Sequence, residues 1–203
     1  MSKEIRYIDN IEFRAIEEDN KRYIEGYALK FNNQSKDLGG FVEIIEPRSI
    51  NENTDMSDVL ALFNHSMNYV LARLNSEVST LELEVDDIGL KYKFEVDEDI
   101  SYVRDLYKNI QKKNITKSSF GFYLPSDGSG ERWEKIDDKY YRYITQFKKI
   151  VDVSPVTNPA YDNTSSTVRS FEDAKKELDK VETNDVETVD NSNYIYKFLK
   201  HKK

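Results

Sequence analysis

Between Leu81 and Glu95 apolar side chains alternate with charged ones, interrupted only at Asp86-Asp87-Ile88-Gly89. A strand turns successive side chains to opposite faces, so this is the pattern of two half-buried strands joined by a turn, within a segment at 79–97. The same period recurs along much of the chain. Residues 11–16 (IEFRAI) and 23–31 (YIEGYALKF) read as a hairpin around the polar stretch EEDNKR. Residues 41–46 form a strand that Pro47 ends. Residues 59–63 (VLALF) are almost continuously apolar, which predicts burial on both faces, and they run into Asn64-His65-Ser66. Further strands are expected at 70–74 and 115–124. A glycine-containing loop follows from Ser126 to Gly130, and two more strands fill 139–153 before Pro155 and Pro159 break the pattern. One stretch changes period. Ile100, Val103, Leu106, Tyr107 and Ile110 recur at helical spacing over 100–112, with Asp99 or Ser101 as the cap. The chain is therefore expected to be β-rich with some helix.

At 203 residues it suits one domain with an appendage. It has no cysteine, which excludes a disulfide scaffold, a thiolate metal site and a cysteine nucleophile. It has two histidines, His65 and His201, too few for a multi-histidine metal site. The net charge of -8 gives no basic footprint for nucleic acid. No apolar run approaches the length of a membrane span, and no apolar signal region follows Met1-Ser2-Lys3-Glu4. A soluble protein of the cell interior is expected, binding neither nucleic acid nor membrane. Composition shifts near residue 170. Residues 172–190 carry eight acidic and three basic side chains, and residues 191–203 carry four lysines and no acid. The division expected is a domain over 1–170 and a charged C-terminal tail over 171–203, partly helical or disordered, with a loosely attached helix at 171–182.

Three places could carry chemistry. His65, the one histidine inside the expected body, follows an apolar strand; it is a surface or capping residue, or a general base that titrates near neutrality. In Ser118-Ser119-Phe120-Gly121-Phe122 the two phenylalanines share a face with Ser118, while Ser119 and Gly121 share the other. Ser119 is then the candidate nucleophile and Ser118 the weaker rival, aimed at the core. Gly121 would leave open space beside the Ser119 hydroxyl for a substrate backbone; the alternative is a glycine kink beside an exposed serine. Asp152 interrupts an apolar strand in Ile150-Val151-Asp152-Val153, where a buried carboxylate needs a partner such as a histidine N–H, unless it caps the turn that Pro155 begins. Together they supply a nucleophile, a base and an orienting acid in the chain order His, Ser, Asp, an order permitted because triads are defined by geometry.

These residues also carry a family resemblance. Phe63-Asn64-His65-Ser66, then Leu71-Ala72-Arg73, then Asp87-Ile88-Gly89-Leu90-Lys91-Tyr92, then Ser119-Phe120-Gly121-Phe122, then the block from Val153 to Tyr161 follow in the order seen in the prohead proteases of HK97-like tailed phages. The chain resembles that family over roughly residues 11–168. The family is related in fold to the herpesvirus maturation protease, assemblin. The resemblance implies a β-rich α+β fold: a single closed or nearly closed β-barrel with a few surrounding helices, herpesvirus-protease-like. It implies His65 as base, Ser119 as nucleophile and Asp152 as third member. Asp86 and Asp87 are rivals better explained as turn residues. It also implies a serine endopeptidase without cofactor. Its substrates would be scaffolding protein or the scaffold segment of the major capsid protein, and the protease itself, inside the assembling prohead in the host cytoplasm. The herpesvirus relatives suggest a homodimer. Ser154 to Ala160 is the expected oxyanion element, and the tail is expected to dock the protease inside the shell. The competing readings are a non-catalytic capsid-assembly or scaffolding protein on the same fold, and a small β-barrel binding module.

Overall fold

The computed structural model describes residues 2–8, 14–157 and 165–187. Its strands, numbered in chain order, form three sheets. The first has five strands in the order β1 (Glu4–Ile8), β9 (Lys117–Tyr123), β12 (Lys149–Val156), β5 (Val59–Phe63) and β6 (Ser66–Leu74). The second has the order β10 (Glu131–Ile136), β11 (Lys139–Ile144) and β4 (Phe41–Ile45). The third has the order β2 (Arg14–Glu18), β3 (Lys21–Lys30), β8 (Gly89–Glu95) and β7 (Leu81–Val85). Two helices, α1 (Ser101–Gln111) and α2 (Ser165–Glu187), complete the described residues.

The β-rich α+β class is as expected. The closed or nearly closed barrel is not: none of the three sheets closes on itself, and the first ends on β1 and β6. From the first sheet to the third the chain turns a corner held by Thr80 N–H donating to the Arg73 carbonyl at 2.9 Å, not by a continuing ladder. Period-two patterning fixes which face of a strand is buried. It does not fix closure, which requires an unbroken ladder with a set stagger.

Three hairpins share one device. Asp19-Asn20, Asn64-His65 and Asp137-Asp138 are two-residue turns with both residues at positive φ. Such turns match the right-handed twist of the flanking strands, and Asn and Asp tolerate the left-handed region better than most residues. The Asp137-Asp138 turn joins β11 to β10, a strand beyond those expected from the alternation pattern. The core lies between the first and third sheets, with α1 packed into it through Val103, Leu106, Tyr107 and Ile110. The residue before α1, Ile100, makes no side-chain cap, so neither expected capping residue, Asp99 nor Ser101, fills that role.

Pro155 does not end its strand, since β12 continues to Val156. The Pro155 carbonyl accepts the Asn64 N–H at 3.0 Å. A residue's N and O point to the same neighbour, so the missing N–H lies on that side, beyond the last registered pair with β5, Val153 and Ala61. The ladder to β9 is intact through Pro155↔Ser118.

The expected domain boundary at residue 170 falls inside α2. Phe171 is buried with Leu38 and Phe41 and packs against Trp133 and Tyr140. The Tyr140 hydroxyl donates to Asp179 at 2.6 Å. The acidic stretch beyond residue 187 and the basic peptide at 191–203 lie outside the described residues. Among the described residues no helix is long and apolar enough to cross a membrane.

Candidate active site

The first sheet brings three side chains to one place. His65 is the second residue of the β5–β6 turn, at φ 57°. Histidine is more often found in this region than most non-glycine residues. The turn is pinned by Asn64, whose side-chain oxygen accepts the Thr157 N–H at 2.9 Å at the end of β12. Ser119 lies mid-strand in β9, opposite Ser154 on one side and Tyr7 of β1 on the other. Asp152 lies in β12, beside a register shift against β9 that places it opposite Gly121.

The imidazole of His65 bridges the other two. Its Nε2 is 2.6 Å from Ser119 Oγ, and its Nδ1 is 2.5 Å from Asp152 Oδ1. Ser119 and Asp152 are each 1% exposed, whereas the His65 ring is partly open to solvent. Burial on its own would raise the Asp152 carboxyl. The hydrogen bond and charge of His65, with the Lys3 ammonium, outweigh it and hold this acid below its usual range. The carboxylate therefore stays ionised opposite the ring. This is the arrangement in which a hydroxyl can pass its proton to an imidazole whose tautomer a carboxylate holds.

Three further contacts complete the site, none of them foreseen in the sequence. The Ser154 hydroxyl donates to Asp152 Oδ1 at 2.9 Å and lies 3.3 Å from His65 Nδ1. Lys3 Nζ lies 2.6 Å from Asp152 Oδ2, an oxygen with no aligned hydrogen-bond donor, so Lys3 compensates it through charge. The Ser119 hydroxyl donates to the backbone carbonyl of Arg6 at 2.7 Å. Ser154 carried a signal: two residues after Asp152 on a strand, it had to share its face. Lys3 and Arg6 carried none, since no local pattern ties them to a strand more than 100 residues away.

The rival residues are accounted for elsewhere. Ser118 points into the core, its hydroxyl 3.0 Å from that of Tyr92. Asp86 anchors its turn by accepting the N–H groups of Ile88 and Gly89 at 2.8 and 2.9 Å, and Asp87 lies in the same turn. Of the expected oxyanion segment Ser154–Ala160, residues 158–160 lie outside the described residues. Within the rest, Pro155 has no N–H and that of Thr157 is held by Asn64.

The alternation of side chains predicts open space at Gly121, but that space is filled. A Cβ there would fall well inside contact distance of Asp152 Oδ2 and of the Lys3 side chain. Glycine is required because the carboxylate lies across it. Lys3 could swing away; Asp152, short and buried, could not. Gly121→Ala is expected to push the carboxylate off His65, lowering any turnover by about 100-fold or more while costing about 1–3 kcal/mol of stability. Turnover assays beside urea denaturation would separate the two effects.

No curated protein and no solved structure matches the chain. The model of one family, described as caudovirus prohead serine protease, does match, over residues 9–177. That span holds His65, Ser119, Asp152 and all but the first of the strands around them. The chain belongs to the caudovirus prohead serine protease family.

Proposed function

We propose that this chain is a serine endopeptidase of phage prohead maturation in which Ser119 is the nucleophile, His65 the general base and Asp152 the orienting acid. One observation carries the reading: the unbroken path from Ser119 Oγ through His65 to Asp152 Oδ1, with contacts of 2.6 and 2.5 Å. Ser119 Oγ attacks a peptide carbonyl carbon while its proton passes to His65 Nε2. The resulting imidazolium is stabilised by Asp152 through Nδ1–H. The C–N bond then breaks, His65 returns the proton to the leaving amine, and an ester to Ser119 remains. Water, deprotonated by the same ring, attacks the ester and frees the serine. Ser154 and Asn64 are positioning residues, the first fixing the carboxylate and the second the turn that carries His65.

The substrates that fit a prohead protease are scaffolding protein or the scaffold segment of the major capsid protein, with self-cleavage as a further event. The chain would act inside the assembling prohead within the host cell. Co-expression with the capsid and scaffold proteins of the same phage, followed by intact-mass analysis, tests this. The expected result is trimming by the wild type and intact partners with Ser119→Ala and His65→Ala. Trimming by all three would place the site elsewhere. Trimming by none, even after β1 has been cut free of the chain, would favour a non-catalytic assembly protein.

A further inference from the structure

The nucleophile proposed above is covered by the chain's own first strand. β1 pairs antiparallel with β9 over Glu4↔Phe122 to Ile8↔Ser118, and β9 has β12 on its other side. Without β1, the edge of β9 that carries Ser119 would be a free row of backbone donors and acceptors, the kind of edge that takes an extended peptide as an added strand. Glu4–Ile8 also lie outside the residues that match the family model, which begin at residue 9.

The seated strand holds the site idle. Ser119 Oγ has one proton, and the Arg6 carbonyl can only accept, so their 2.7 Å bond uses that proton. That proton is then not shared with His65 Nε2, 2.6 Å from the same oxygen. The hydroxyl must turn away from the carbonyl before it can pass its proton to the ring. The Arg6 carbonyl oxygen faces the nucleophile's hydroxyl, so β1 is seated as a blocker and not as a peptide poised for attack.

Side chains hold β1 as well as its backbone. Arg6 donates to Glu43 at 2.8 and 3.0 Å and to Glu4 at 2.8 Å, and Glu4 accepts from Arg142 at 2.7 and 3.1 Å. All four residues are buried. The two charges that β1 contributes cancel, and Arg142 still bonds Glu43 at 2.9 Å and Glu131 at 2.6 Å when the strand leaves, so the wall keeps a paired cation. The wall is therefore not left with an unpaired arginine.

We propose that the edge of β9 is the substrate-strand site and that β1 is its built-in inhibitory occupant. It takes an extended peptide carrying an acidic residue two positions before a basic one, as Glu4-Ile5-Arg6 does. This rests on Ser119 being the nucleophile.

The test keeps the whole chain. A site-specific cleavage sequence is inserted after Asn10, the protein is folded intact, and half is then cut. Labelling of Ser119 by phenylmethanesulfonyl fluoride, in which Oγ displaces fluoride, is followed by intact mass. A tethered strand is held at an effective concentration of about millimolar, so cutting at micromolar protein should speed labelling about 100-fold or more. Adding back a Ser2–Ile8 peptide should slow it again, and the same peptide with Glu4→Ala and Arg6→Ala should not. Equal labelling of cut and uncut chains, with β1 shown by native mass to have dissociated, would overturn the proposal while leaving the nucleophile in place. If β1 stays bound after cutting, dilution or competing peptide must speed labelling, and failure to do so also overturns it. No labelling of either form would remove Ser119 as nucleophile, and the proposal with it.

Discussion

Ser119→Ala should lower peptide cleavage by about a million-fold, and His65→Ala should lower it by a similar factor, because a triad acts as one unit. The double variant should be little worse than either. Once the hydroxyl is gone the imidazole has no proton to take, and once the imidazole is gone the hydroxyl has no base. Two independent groups would instead multiply their losses. Asp152→Asn should cost about 10,000-fold, since an amide can donate to Nδ1 and favour the tautomer in which Nε2 already holds the proton. Asp152 is buried and ion-paired with Lys3, so this variant also needs a stability control, whereas Ser119→Ala removes one hydroxyl from a packed strand. Single-turnover rates with a capsid-derived peptide, on chains whose β1 has been cut free, would measure all four. Ser118→Ala is the internal contrast: it loses the hydroxyl contact to Tyr92 in the core and should keep full activity.

How far the sequence carries this site depends on distance along the chain. The alternation in Ser118-Ser119-Phe120-Gly121-Phe122 correctly separates a core serine from one on the opposite face, because facing within a strand is a local property. Asp152 interrupting an apolar strand is legible for the same reason: a charge there demands a partner. What surrounds these residues is not local. The closeness of Gly121 and Asp152 depends on the register of β9 against β12 and on the shift between Ile150 and Asp152. The Asp137-Asp138 turn lacks the glycine that marks most two-residue hairpins, so β10 was not resolved from the loop before it. β1 is the clearest instance. Glu4-Ile5-Arg6 places charged residues where a strand reading expects an apolar face, and only partners 37 and 138 residues away turn those charges inward. Closure into a barrel failed for a related reason, since edges are set by which strands meet and not by the pattern within any one of them.

Those inward charges give the second large expectation. Arg142 is 1% exposed and bonded to Glu4, Glu43 and Glu131. Arg142→Met preserves much of the side chain's bulk but leaves Arg6 as the cation facing three carboxylates. Breaking a buried ionic network from one side costs about 3–5 kcal/mol, roughly a 10 °C loss in Tm for a chain of this size. The pH dependence distinguishes charge from packing. In the wild type, burial would raise the Glu4 carboxyl, but the hydrogen bond and charge of Arg142, with Arg6 and Thr167, hold it below its ordinary 4.5. Its contribution is therefore fully present above that value and is lost as pH falls through the lower folded value. In the variant the largest of those opposing effects is gone, and burial should carry the carboxyl above 4.5. A folded state that binds protons more readily than the unfolded one gains stability as pH falls toward that value. The variant's curve should then rise as pH falls toward 4.5, where the wild type's Glu4 contribution is still flat, and the wild type's should fall only below it, so the gap seen in urea at pH 7 should narrow by about pH 4. A gap of constant size would mean that the loss is one of packing. Because Glu4 belongs to β1, the variant should also label Ser119 faster than the wild type in the range where it remains folded, joining the stability of the buried charges to release of the strand that covers Ser119.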